Sequence, residues 1–193
     1  MSMVVDEIRS KILALQQELE QEFEARRARF KYTLKRRRVL FHKDVIAHHR
    51  ALRKGVLRFW RESGVLNFIT APVIYALVVP LAVLDFSLSV FQWVCFPIYG
   101  IKRVPRSDFV AIDRHHLAYL NWVEKLNCAY CGYGNGVIAY AREIASRTEQ
   151  RWCPIKHARR VRGVHERYYA FDDYGDAENF RNRTNGKVEK APR

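Results

Sequence analysis

Cys128, Cys131, Cys153 and His157 are the residues of this 193-residue chain whose types and spacing carry ligand chemistry. CAYC and the later CPIKH offer three thiolates and one imidazole, a donor set that suits tetrahedral zinc. CAYCG also resembles a zinc knuckle, in which the glycine lets backbone amides turn toward sulfur. Pro154 suits the first turn of a helix, which would set Cys153 and His157 one turn apart on one face. Three readings stand at this level: a single Cys3His zinc site, another metal or iron–sulfur arrangement, and ordinary thiols. A CxxC redox centre is weaker, because no strand precedes the motif. With four cysteines and no secretory signal in MSMVVDEIRSKILALQQELEQ, reducing surroundings are expected rather than a disulfide scaffold.

Whether the four ligands meet depends on the elements that carry them. Leu117, Leu120, Val123 and Leu126 follow helical spacing, as do Val137, Ala141, Ile144, Thr148 and Trp152. Between them Gly132, Gly134 and Gly136 of CGYGNG interrupt the pattern, which predicts a helical hairpin with a glycine-rich turn. Asp113 fits as the cap of the first helix, and Glu143 with Arg147 as a favourable pair in the second. A helix over residues 137 to 152 carries the chain about 24 Å from Cys131. All four ligands then meet only if CGYGNG first runs outward so that the helix returns.

The segment from Val65 to Ile101 is apolar almost throughout, and its only formal charge is Asp85. About twenty successive apolar residues span a bilayer core, so this stretch predicts a membrane-inserted element. Basic residues lie at both ends, and positive loops stay cytoplasmic, which predicts a hairpin whose ends share one side. Asp85 is the expected tip, capping the second arm near the headgroups. That arm is only about 24 Å long, so a re-entrant or tilted hairpin fits as well as two full spans. A single crossing and a soluble hydrophobic core are the alternatives. Pro72, Pro80 and Pro97 predict kinks or ends.

Upstream, Ile8, Ile12, Leu15, Leu19 and Phe23 form one helical face, which Phe30 and Leu34 extend. No Pro or Gly intervenes before Gly55, so one long amphipathic helix ending near Ser63-Gly64 is predicted. Its stripe needs a partner, either a second copy in a coiled coil, another protein, or lipid. Charge along it is segregated, acidic over residues 6–24 and basic from Arg26 to Arg61. Arg50, Arg53, Lys54, Arg58 and Arg61, with Lys102 and Arg103 beyond the apolar block, are candidate contacts to anionic lipid headgroups, each gaining about 1 kcal/mol near the leaflet. Phe59 and Trp60 sit where aromatic residues anchor at the interface. The net charge of +14 implies an anionic partner. Nucleic acid is the weaker candidate, since basic charge attracts phosphate backbones without selecting among them.

The tail from His157 mixes basic residues with Tyr168, Tyr169, Phe171, Tyr174 and Phe180, rings expected to pack an irregular segment over the domain. The segments HHLAYLNWVEKLNCAYCGYGNGVIAYAREIASRTEQRWCPIKHARR and TAPVIYALVVPLAVLDFSLSVFQWVCFPIYGI resemble uncharacterised bacterial membrane-associated proteins. That resemblance implies bacterial inner-membrane residence and no particular activity. The sequence therefore predicts a mainly α protein in four parts: a long amphipathic and basic helix over 1–63, a membrane-inserted hairpin over 64–101, a small helical Cys/His domain over 102–181 facing the cytoplasm, and a disordered tail over 182–193. No phosphate-binding glycine loop, nucleophile elbow or His-Glu metalloprotease motif is present. The expected role is a membrane-anchored adaptor or scaffold, with a structural zinc site as an option. The alternatives are a membrane-bound redox or metal-dependent protein using the Cys/His cluster, and a basic nucleic-acid-binding protein.

Overall fold

A computed structural model describes residues 2–35 and 38–188; Arg36 and Arg37 of the basic run and residues 189–193 of the polar tail lie outside the described residues. The protein is mainly helical, as its periodicities predict. It divides into two compact units, residues 1–65 with 112–129, and residues 66–111 with 130–193.

In the first unit, helix α1 covers Ser2–Arg29. The single long helix expected to reach Ser63 stops here, because Lys31 takes a left-handed φ of 52° and the chain turns into a hairpin. Strand β1 (Tyr32–Lys35) pairs antiparallel with β2 (Arg38–Phe41), with Tyr32 opposite Phe41. Aromatic and β-branched residues at Tyr32, Thr33, Val39 and Phe41 favour the pleated surface. A run of four like charges from Lys35 to Arg38 disfavours a continuous helix. Leu34 fitted the helical stripe only because it lies four residues beyond Phe30. Two short helices follow, α2 (Lys43–Ala51) and α3 (Val56–Ser63). Ring contacts run from Tyr32 to Phe41, from Phe41 to His49 and from His49 to Tyr119, at centroid distances of 5.4, 5.4 and 5.1 Å. These ring contacts link the hairpin, α2 and Tyr119 within the unit.

The second unit is built on α4 (Val65–Ala76) and α5 (Val78–Ile98). Helical hydrogen bonding lapses at Leu77 because Pro80 has no N–H to give the Ala76 carbonyl and its ring crowds that group. Leu77 keeps near-helical angles, φ −63° and ψ −14°, so the chain bends here and does not reverse. Asp85 lies within α5 and is not the tip of a hairpin.

At its far end α5 stops in a Schellman motif. Gly100 has φ 67°, Ile101 N–H donates to the Phe96 carbonyl and Gly100 N–H to the Pro97 carbonyl. Ile101 also packs against the core cluster that contains Phe96. From there residues 101–111 run back along α5, since Val104 bonds Gln92 and Arg106 bonds Asp85.

Helix α6 (Trp122–Trp152) is one element where two helices and a turn were expected. Its start is set by Asn121 rather than Asp113. The Asn121 Oδ1 accepts from the Val123 and Glu124 amides, and Glu124 accepts from the Asn121 amide, a reciprocal capping box. CGYGNG stays helical, and its glycines serve close packing instead of a turn. A Cβ at Gly136 would lie 2.8 Å from both the Phe109 carbonyl oxygen and Val110 Cα, and one at Gly132 would lie 3.0 Å from the Ala111 carbonyl oxygen. The two glycines, four apart, open the groove along α6 that the returning backbone occupies. The core of this unit is Phe96, Val104, Tyr140 and Ile144.

Beyond α6, residues 153–172 fold back over its second half. Asp172 N–H donates to the Pro154 carbonyl, and His165 meets Glu149 at 2.7 Å. Phe171 is buried in this strap, consistent with aromatic packing of an irregular segment. Helix α7 (Ala177–Val188) runs into the segment expected to be disordered.

Candidate functional site

The polarity of α5 is inverted relative to a helix surrounded by water. Its covered stripe runs through Leu81, Asp85, Leu88, Gln92 and Phe96, spaced four, three, four and four. Asp85 and Gln92 are each only 8% exposed. Phe86 and Trp93, on other faces, are 71% and 67% exposed, and Val79, Val83 and Ile98 are exposed with them. Val65–Ile98 as a whole is long and apolar enough to cross a membrane.

The buried polar groups of α5 are satisfied within the second unit. Asp85 takes a bidentate ion pair from Arg106, with Nη2–Oδ2 at 2.7 Å and Nε–Oδ1 at 2.9 Å, and a hydrogen bond from the Tyr133 hydroxyl at 3.1 Å. Burial, and then the bond to Asp85, push the Tyr133 phenol up. Gln92 acts as a backbone surrogate. Its Oε1 accepts from Val104 N–H at 2.9 Å, while Nε2 donates to the Val104 carbonyl at 3.3 Å and also bonds Tyr140 Oη. These contacts fix the return segment between α5 and α6. A signal for them was present in the sequence, because Asp85 and Gln92 are seven residues apart and so share one helical face.

A second ionic cluster lies in the last turns of α6. Glu143 pairs with Arg147 at 2.7 Å, the contact expected from their spacing, and with Arg167 of the strap at 2.8 Å. Burial pushes the Glu143 carboxyl up, but the hydrogen bonds from Arg167 and Arg147 outweigh it and hold it below the usual carboxylate range. Arg167 was not singled out in the sequence, since it lies 24 residues from its partner.

The candidate headgroup residues fall on several elements. Arg50 is in the last turn of α2, Arg53 and Lys54 join α2 to α3, and Arg58 and Arg61 lie on α3. Val56, Leu57, Phe59 and Trp60 occupy one side of α3, and Arg58, Arg61 and Glu62 the other. Lys54 and Arg58 both bond Glu62 at 2.8 Å, and those bonds lower its carboxyl to about 2. Lys102 and Arg103 follow the α5 cap, where Arg103 donates to the Trp93 carbonyl at 3.2 Å.

The candidate metal ligands do not converge. Cys128 and Cys131 lie within α6, whereas Cys153 and His157 follow its C-terminus. With CGYGNG helical, Cys131 and Cys153 are separated by about 33 Å of helix. His157 instead meets Tyr168, whose hydroxyl accepts from the His157 amide at 2.7 Å. Among the described residues, no group of three or more His, Cys, Asp or Glu side chains is arranged to hold a metal ion.

No protein-family model, curated protein or solved structure matches this chain. The reading of its function therefore rests on the geometry above.

Proposed function

We propose that this protein is a membrane-anchored scaffold whose α4–α5 segment is seated in lipid along its apolar face. The observation that carries the proposal is the inverted polarity of α5. A buried stripe holding Asp85 and Gln92, opposite an exposed face of Val83, Phe86, Val90 and Trp93, suits a helix with protein on one side and hydrocarbon on the other.

The return segment favours an in-plane seat over a crossing. It brings Lys102, Arg103 and Arg106 alongside α5, and α6 adds Glu143 and Arg147 to the same side. Were α5 to cross, these charges would lie at membrane depth, where each costs about 2.5–3.5 kcal/mol at the centre. An in-plane helix leaves them in water and still keeps both chain ends on one side. The amphipathic helix α3, with Phe59 and Trp60 on one side and Arg58 and Arg61 on the other, has the composition of an interfacial helix. The basic excess favours the anionic cytoplasmic leaflet. The exposed stripe of α1, Ile8, Ile12, Leu15, Leu19 and Phe23, is the surface offered to a partner helix.

Flotation with liposomes containing anionic lipid tests the anchor. The wild-type chain is expected to float at high salt, whereas Phe86→Glu with Trp93→Glu stays at the bottom of the gradient. A wild-type chain that is monomeric and soluble without detergent, and does not float, would overturn the proposal.

A further inference from the structure

We infer that the second unit carries a dedicated site for the phosphate of an anionic phospholipid, in the open cleft where α5 ends. The cleft has a volume of about 410 Å³ and is lined by Lys102, Arg147, Arg151 and Arg167, with Gly100 and Ile101 at the α5 cap. Glu143 bridges Arg147 and Arg167, offsetting one of their two charges while holding both guanidinium groups in place. Among the described residues, Lys102 and Arg151 have no carboxylate partner, and the buried Arg151 Nε has no hydrogen-bond acceptor. A surplus of positive charge gathered in one cleft calls for an anion with several acceptor oxygens, and arginine forks match phosphate better than they match a single-point acceptor.

The rim indicates what the phosphate is attached to. Tyr99 and Trp152, which adjoin Gly100 and Arg151 in the chain, form an edge-to-face pair with centroids 4.9 Å apart; both are exposed, and Tyr99 follows the exposed Ile98 of α5. An amphiphile can place its phosphate among the cations and its acyl chains along the apolar face of α5. Complementing the C-terminal dipoles of α5 and α6 does not fully account for these cations. The terminal carbonyls of α5 are already closed by its cap, and the Arg151 Nε is left without an acceptor. The inference rests on the lipid-seated reading for the source of the ligand, but the cleft itself does not depend on it.

The test is calorimetry of the full chain in maltoside micelles, titrated with dihexanoyl phosphatidylglycerol, dihexanoyl phosphatidylcholine or inorganic phosphate. Saturable 1:1 binding of the anionic lipid is expected, at least ten-fold tighter than binding of either other ligand. Lys102→Gln with Arg151→Gln should weaken it at least ten-fold with an unchanged thermal midpoint, and Arg151→Lys should recover part of the loss. Arg53→Gln with Arg61→Gln should leave it unaltered. Equal binding of the zwitterionic lipid, or no effect of the double substitution, would overturn the site. Inorganic phosphate binding as tightly as the lipid would overturn the lipid as its ligand. Short-chain lipid reports on the cleft whether or not the chain enters a bilayer, so failure to float and failure to bind are separate results.

Discussion

Gly136 sets the sign of a substitution that helix propensity alone would misjudge. In an exposed helix interior, glycine to alanine gains about 1 kcal/mol. At Gly136 the added carbon meets Phe109 and Val110 backbone atoms at 2.8 Å, so the return segment must move. Gly136→Ala is expected to destabilise the protein by about 1–3 kcal/mol, the range for overpacked sites. Gly55→Ala, with nothing within 4 Å, escapes that clash and should cost no more than about 1 kcal/mol, the loss of a glycine at the N-cap of α3. Thermal melts of the two variants in detergent check this, and a higher midpoint for Gly136→Ala would refute the close approach. The Asp85–Arg106 pair supplies a second asymmetry. The Asp85 side chain is 12% exposed and that of Arg106 44%. Arg106→Met leaves a desolvated carboxylate held only by Tyr133 and should cost about 3 kcal/mol, whereas after Asp85→Leu the guanidinium can turn to water and the loss should be smaller. Equal losses in denaturant titrations of the two variants would contradict that ordering.

Among the elements, α6 and its strap carry the clearest pH dependence. The Glu143 carboxyl is held below its ordinary value when folded, so its stabilisation is complete above the unfolded pKa of about 4.3. It is lost as the pH falls from there through the lower folded value. Melting midpoints measured from pH 7 to pH 3 should therefore drop at the acid end, and Glu143→Gln should flatten that limb while lowering the plateau. An unchanged acid limb in the variant would show that the strap is held by something else. The elements also mark how far the sequence could be read. The apolar block, the helical character of α1 and the Glu143–Arg147 pair were legible because each depends on local spacing. The hairpin at Tyr32 to Phe41 was hidden because Phe30 and Leu34 satisfy a helical period as well as a strand one. CGYGNG read as a turn because what keeps it helical is tertiary: glycine is poor for a helix in isolation, and only the backbone lying against Gly132 and Gly136 explains its presence there. The four candidate ligands were a local pattern too, and the straight course of α6 draws Cys131 and Cys153 apart.

At the scale of the molecule, the decisive quantity is how depth varies along α5. A helix that crosses changes depth by about 1.5 Å per residue, so positions 86 and 93 would differ by about 10 Å if it stood upright. A helix seated in the plane of the leaflet holds them at one depth, because both lie on its apolar side and the charged return segment occupies the other. Phe86 and Trp93 are both exposed and aromatic, so a single tryptophan can occupy either position at little structural cost. With Trp60, Trp122 and Trp152 replaced by Phe, the native Trp93 chain is compared with one carrying Phe86→Trp and Trp93→Phe. Quenching by lipids spin-labelled near the headgroup or near the chain end then measures both depths. The in-plane seat is expected to give the same shallow depth, within about 3 Å, at both positions, since α5 lies on a surface about 5–10 Å into the acyl boundary. A difference approaching 10 Å would mean that α5 crosses. Arg106 and its neighbours would then have to enter hydrocarbon with it, and the bidentate pair to Asp85 would become the contact that makes their burial tolerable.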